Sequence, residues 1–347
     1  MRALEHLLAD AVRHGATDVR LVTGHAARLL RHTVTLSPPE VHDSDPPLAE
    51  LAALAADELV HAHVLAVETA AGRARVQIMR HAGGLAATLR PIPATLPAFA
   101  TLALPSVPSA LIADASGLVL VAGPRGSGRS TSLAMMLQHR LATRRGHALT
   151  IEHPLEHVIA TNAGHVTQRA IGPHTPSLHA ALDEARMQDV DTLLLADLPD
   201  ADVLLGALAA AESGALVLAA VPGPDATRAL EGVLRLVPAL RLEFARARLA
   251  EQLRVVVAQH LVRGAASLDV HLASEVLVNT ATVAGHVRQG RLEALPAVIA
   301  AGGRAGHRAL DHALLDLVAR DRVTRDEALH HAVNPSVFAA LAPPEAA

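Results

Sequence analysis

The sequence predicts an α/β protein in two parts. A small α+β unit occupies residues 1–96, a linker 97–112, a larger α/β domain 113–340 and a loose tail 341–347. Three observations carry this. The chain has 347 residues, enough for about two domains at roughly 100–200 residues each. Its second part holds continuous apolar runs of buried-strand type at Gly117–Gly123, Ala148–Ile151, Thr192–Leu195 and Ala215–Val221, separated by helical patterns. Strands alternating with helices imply a parallel sheet covered on both faces. The first part has shorter, mixed patterns instead.

In that first part, Leu4, Leu7, Leu8, Ala11 and Val12 recur at helical spacing and predict an opening amphipathic helix, ended by Gly15–Asp18. Val19 and Leu21 then alternate with polar residues as in a strand. Pro38–Pro47 is acidic and proline-rich and reads as a loop, followed by a helix over Leu48–Leu59. Residues 63–69 and 73–79 predict a hairpin. From Leu89 to Pro108, prolines punctuate a stretch that reads as a linker with one short helix. After about residue 224 the pattern is mostly helical, ending in helices at 307–320 and 324–332.

Composition excludes several classes. Charged residues make up 18% and the formal net charge is -4, so the chain is neither disordered nor a bulk polycation suited to nucleic acid. No cysteine is present, which removes disulfides and thiolate metal sites. There is no Lys, Tyr or Trp and only three Phe, while alanine reaches 72. The cores must therefore be built from Leu, Val, Ala and Ile. The first ten residues lack a long apolar stretch and predict no secretion signal. Val203–Val221 is long and apolar, but Glu212, Ser213 and Gly214 interrupt it, so it reads as a buried helix followed by a buried strand. The expected location is the cytoplasm.

The sharpest motif is Gly123-Pro-Arg-Gly-Ser-Gly-Arg-Ser130, the phosphate-loop frame with Arg129 where Lys is expected. An apolar strand precedes it and a helix from Ser130 to about Leu141 follows. Gly126 and Gly128 let backbone N–H groups turn toward phosphate oxygens, and the helix N-terminus adds its dipole. Gly123, Ser127 and Thr131 complete the candidate nucleotide-binding set, with the Ser130 hydroxyl for Mg²⁺. Arg129 is longer, planar and forked, where the loop lysine is a point charge. Binding tolerates that exchange better than transition-state stabilisation does.

The remaining features carry less. His61 and His63 alternate on one predicted strand and His330–His331 close a helix, without the third ligand a metal site needs. Arg235–Arg254 predicts an amphipathic helix beginning after Pro238, with an arginine face toward a domain or subunit contact.

Taken in order, the motifs resemble the PilT/PilU-type retraction ATPases of type IV pili, within the secretion ATPase superfamily. Gly15–Leu21 resembles the family's G-A-S-D-L-H-L, and Leu89–Pro93 its R-x-I-P stretch. Thr150–Glu156 resembles its acidic box T-I-E-D-P-I-E, and Val166–Arg169 its V-N-Q-R. Gln188–Asp197 resembles its Walker B segment, Ala210–Gly214 its A-A-E-T-G, and Glu275–Gln289 the segment holding its A-I-R-N-L-I-R-E motif. The resemblance implies a PAS-like N-terminal domain and a RecA-like ATPase domain. It implies ATP with Mg²⁺, with Arg90 added to the nucleotide-binding set and Glu152, Glu156 and Asp197 as catalytic carboxylates. It also implies a homohexamer, or a mixed assembly with an active PilT-like paralogue, working on a pilus platform protein at the inner membrane; no nucleic acid is expected.

Departures cluster at the chemical positions. Besides Arg129, His153 stands for the acidic-box Asp, Asp197 for the Walker B Glu and Pro222 for the His-box histidine. Asp183 and Met187 stand for two arginines, with Arg186 next door, and Ala284–Gly285 for the central Arg-Asn. Three readings stay open: a motor subunit with weakened or lost hydrolysis, an active ATPase of the same family, and a subunit of the ring that binds no nucleotide.

Overall fold

The computed structural model describes residues 1–31, 34–36, 42–55, 62–161, 163–265 and 269–341. The chain forms two compact units: Met1–Leu96 with His153–Val158, and Pro97–Glu152 with Ile159–Ala347.

In the first unit, α1 (Arg2–Arg13) buries Leu4, Leu7, Leu8 and Ala11, the residues whose spacing predicts it. Strands β1 (Asp18–Val22), β2 (Arg28–Arg31) and β3 (Val34–Thr35) follow, then α2 (Asp45–Leu54). Strands β4 (Ala62–Thr69), β5 (Gly72–His81) and β6 (Gly84–Ile92) complete an antiparallel sheet of order β3-β2-β1-β6-β5-β4. Its core joins Leu4, Leu7 and Leu8 to Val19, Leu51, Val76, Ile78 and Leu89. The expected hairpin is present as β4–β5.

Two boundaries differ from expectation. Pro46 and Pro47 open α2 instead of closing a loop, because the first helical turn needs no proline N–H. Leu89–Ile92 belongs to β6 and not to a linker. Pro91 pairs with Ala74 of β5, while the pairing of β6 with β1 ends at Leu89, so this end of β6 has one free edge, where proline is tolerated. Residues 37–41 of the expected loop, 56–59 of the expected helix, His61 and the tail from 342 onward lie outside the described residues.

The second unit opens with residues 97–112, expected as a linker. They carry a 3₁₀ turn at Phe99–Leu102 and most of α3 (Ser106–Asp114), and cluster with this unit. Then come β7 (Gly117–Ala122), α4 (Arg129–Thr143), β8 (His147–Glu152), β9 (His165–Ala170), α5 (Leu178–Ala185) and β10 (Thr192–Leu195). They are followed by α6 (Ala201–Glu212), β11 (Leu216–Val221), α7 (Ala226–Arg235), α8 (Ala239–Gln252), β12 (Leu253–Arg263) and β13 (Val270–Val278). Helices α9 (Ala281–Gln289), α10 (Leu295–Ala301), α11 (Leu310–Ala319), α12 (Arg325–His331) and α13 (Pro335–Leu341) end the chain.

The predicted parallel sheet is present and larger than predicted: its order is β13-β12-β7-β11-β10-β8-β9, parallel throughout except for β13 at the edge. Every residue of β7, β10 and β11 is buried, which explains their unbroken apolar runs. Val203–Val221 is α6 followed by β11, as read from its interruption. No helix among the described residues is long and apolar enough to cross a membrane. The mostly helical expectation after 224 misses β12 and β13. Helix α8 passes into β12 with no glycine or proline between Gln252 and Leu253, so no punctuation marks the change.

A buried cation fixes the entry to this unit. Arg140 of α4 donates from Nη1 to the carbonyls of Ile112, Ala113 and Ala115 at 3.1, 3.0 and 3.0 Å, and from Nε to Thr192 Oγ1 at 2.9 Å. It thereby caps the C-terminal end of α3, where a positive charge is favoured. Arg140→Met should keep the packing of the stem but strand these carbonyls, lowering unfolding free energy by about 2–3 kcal/mol in urea titration. Thr192→Val, which removes one bond, should cost less than about 1 kcal/mol. Equal midpoints for wild type and Arg140→Met would refute the cap.

Candidate functional site

The motif loop connects β7 to α4. Its first glycine, Gly123, sits where a Cβ would lie 2.2 Å from Ser127 Oγ and 2.7 Å from the Gln259 carbonyl oxygen, so no side chain fits. Ser127 N donates to Pro124 O at 3.2 Å and closes the turn. Gly128 has φ 86° and is the N-cap of α4, offering no side-chain acceptor to the first-turn N–H groups. The loop therefore leaves backbone donors at a helix N-terminus, the arrangement that receives phosphate. Ser127 is buried, Ser130 exposed, and Arg129 and Thr131 half-buried. Burial holds the Arg129 guanidinium below its ordinary range, Asp197 opposes that shift, and Arg125 adds to it. It stays a cation.

Strand register assembles the rest. Leu195 of β10 pairs with Ile151 of β8, so Glu152, the last residue of β8, and Asp197, two residues past β10, both lie at the carboxyl ends of neighbouring parallel strands. Ligands of open α/β sheets bind along that edge. Glu152 Oε1 accepts from Thr150 Oγ1 at 2.7 Å and from Gln168 Nε2 at 3.4 Å, which orients this carboxylate. Asp197 is exposed and accepts from its own turn, Leu198 N at 2.9 Å. Of the predicted set, the loop residues, Glu152 and Asp197 thus share one sheet end.

Glu156 and Arg90 have partners in the first unit. Glu156 Oε1 accepts from Arg75 Nη1 at 2.9 Å. Arg90 donates from Nε and Nη2 to Asp18 Oδ1 at 3.0 and 2.9 Å, beside the Val19–Leu89 pair of β1 and β6.

Pro222 follows β11 and is exposed. Behind it, His260 Nε2 shares a hydrogen bond with Pro224 O at 2.7 Å, and Asp225 caps α7 by accepting from Arg228 N at 2.7 Å. Sequence reasoning gave no role to the carboxylate beneath this turn, Glu275 of β13. It is 7% exposed and accepts from Ala226 N at 2.8 Å. Burial pushes its carboxyl up to about 7, the Ala226 N–H opposes the shift, the carboxylates of Asp225 and Asp311 add to it, and the Leu310 N–H again opposes it. Gln259 was missed as well: it stands beside His260 where the apolar run Val255–Ala258 of β12 ends, with no motif to mark it.

The sheet, its order and the loop at the end of β7 define a RecA-like P-loop domain. Known proteins agree. The family described as type II/IV secretion system protein matches residues 100–300. A twitching motility protein of Neisseria gonorrhoeae is 31% identical over 262 residues, covering 76% of this chain and 70% of its own. The type IV pilus retraction ATPase PilT of Pseudomonas aeruginosa is 32% identical over 268 residues, 77% of each chain. The crystal structure of the pilus retraction motor PilT with bound ADP matches with a TM-score of 0.82 at 24% identity, covering 97% of this chain and 99% of that one. The chain belongs to the type II/IV secretion system family, in its PilT-like pilus retraction ATPase group.

Glu275 makes stability depend on pH. Its carboxyl rises from an ordinary 4.5 to about 7 on folding, so the folded state binds the extra proton. That contribution is fully present below pH 4.5 and is lost as pH rises through about 7. At 1.36 kcal/mol per unit it amounts to about 3 kcal/mol. Glu275→Gln cannot ionise, so the wild type should lose about 3 kcal/mol relative to this variant between about pH 4.5 and pH 8 in urea titrations. A stability difference that does not change with pH would show that Glu275 does not titrate in this way.

Proposed function

We propose that this chain is a PilT/PilU-like subunit of a type IV pilus retraction motor that binds ATP with Mg²⁺ through its modified phosphate loop and hydrolyses it weakly or not at all. The observation that carries this is a division within one site. The cradle is intact: Gly123, Gly126 and Gly128 with their special backbone geometry, the uncapped start of α4, and the exposed Ser130 hydroxyl. The chemical positions are altered: Arg129 for Lys, Asp197 for Glu, Pro222 for His.

The backbone from Gly126 to Thr131 would hold the phosphates, Arg129 would lie against them, and Ser130 would hold Mg²⁺. ATP supplies a phosphoryl group whose transfer releases the energy of the stroke. Glu152, oriented by Thr150 and Gln168, is the carboxylate best placed to order a water. Asp197 is one methylene short, and displacement on the order of 1 Å is enough to slow such a step about 10²-fold. Glu156 and Arg90 serve the first unit through Arg75 and Asp18. The assembly would be a homohexamer or a mixed ring with an active PilT-like paralogue, acting on the pilus platform from the cytoplasmic face of the inner membrane.

Calorimetry of Mg²⁺-ATP on the full chain, with a hydrolysis assay on the same sample, tests this. Binding without turnover is expected, and Ser130→Ala should weaken the Mg²⁺-dependent part about tenfold. Arg129→Lys with Asp197→Glu should not restore turnover, because Pro222 and the missing arginines remain. Turnover by the wild type would make it an active ATPase; absence of binding would leave a structural subunit.

A further inference from the structure

Gln259 is fully buried within β12, one residue past the end of that strand's pairing with β7, and it has no part in the proposed nucleotide contacts. The pairing of β12 with β7 ends at Ala258–Ala122, so Gln259 stands opposite Gly123, at the mouth of the phosphate loop. Its Nε2 donates to Ser127 O at 2.6 Å across 132 residues of sequence. Of the two terminal amide atoms only the nitrogen can donate to a carbonyl, so this contact fixes which way the amide faces. Both loop glycines pack against this residue: a Cβ on Gly123 would meet the Gln259 backbone carbonyl oxygen at 2.7 Å, and one on Gly128 would meet the side-chain Nε2 at 3.4 Å.

We propose that Gln259 is a positioning residue for the phosphate loop, holding the Ser127–Gly128 peptide so that the Gly128 N–H faces the phosphate. The inference rests on the nucleotide-binding reading above. The C=O and N–H of a trans peptide lie in one plane and point in opposite directions within it. With the Ser127 carbonyl drawn toward β12, the Gly128 N–H is directed away from β12, toward the side of the loop where a phosphate oxygen is received. Gly128 has φ 86° and no side chain, so the peptide before it swings freely unless something holds it. The amide does this at a cost to itself: Gln259 Oε1 is buried without a partner, as is Ser127 Oγ. A residue present only to fill space beside the loop would carry no such unpaired acceptor.

The test is Mg²⁺-ADP binding by the full chain and two variants. Gln259→Leu keeps the bulk and removes the donor; it should weaken binding at least tenfold while thermal unfolding shows a folded protein. Gln259→Glu is nearly isosteric. As a carboxylate it repels the Ser127 carbonyl, and as a neutral acid its O–H donates to it. Relative to wild type at each pH, its binding should be weak at pH 8 and recover toward wild type at pH 5.5, a dependence that simple loss of packing does not produce. If Gln259→Leu fails to fold, Gln259→Glu carries the test alone. Wild-type affinity within twofold in both variants would overturn the proposal. If the wild type itself binds no ADP, the nucleotide reading fails, and amide hydrogen exchange over 124–131 decides the positioning role: faster exchange there in the variants supports it, and unchanged exchange overturns it.

Discussion

The second unit depends on the burial of β7. All six of its residues are shielded from water, with β12 on one side and β11 on the other, both parallel to it. A strand buried on both faces and both edges has no freedom to shift register. It delivers Gly123 to a place already bounded by Ser127 and Gln259, so the loop that follows inherits the strand's rigidity. The carboxyl ends of β8 and β10 are brought level with one another by the same ladder, and with them come Glu152 and Asp197. The site is thus a consequence of sheet packing, and its geometry does not require the large aromatic side chains this composition lacks.

That separation explains how the chemical positions can change while the frame stays. Pro222 is exposed after β11, where no ladder hydrogen bond needs its missing N–H. Ala284–Gly285 lies on α9, and a Cβ on Gly285 would meet nothing within 4 Å, so the smaller residues leave the fold undisturbed. Met187, 87% exposed after α5, is equally free of packing. None of these substitutions touches the buried strands, so none disturbs the packing that forms the site.

Much of this was legible in the residues. The runs at Gly117–Gly123, Ala148–Ile151, Thr192–Leu195 and Ala215–Val221 are four strands of the observed sheet, because full burial demands unbroken apolar sequence. The phosphate loop was legible because its backbone needs glycine at fixed places. What hid was polar or unpunctuated. β9 reads His-Val-Thr-Gln-Arg-Ala, since an edge strand is half exposed. β12 follows α8 without a turn residue. Glu275 and Gln259 are buried polar residues in largely apolar strands, and their partners, Ala226 N and Ser127 O, are backbone atoms 49 and 132 residues away. Side-chain chemistry aimed at distant backbone leaves no spacing to read. Glu156 and Arg90 show the converse: motif position marks them, but their ion pairs with Arg75 and Asp18 are visible only in the fold.

Arg129 brings these strands of argument together. In a chain whose 30 basic residues are all arginine, the loop cation had no lysine to be. A guanidinium is always charged and offers donors in a fixed plane. Half-buried at the start of α4 and drawn by Asp197, it keeps positive potential where phosphate is received. Electrostatic attraction falls slowly with distance, so it survives the change from a point charge to a fork. Stabilising charge as it develops on a transferring phosphoryl group depends on donors placed to within a fraction of an ångström, and a longer, planar group anchored at the same Cα places its donors elsewhere. Retained attraction with displaced donors is the physical content of the proposed binding without turnover, and Asp197, one methylene shorter than Glu, is the second group on which that proposal rests.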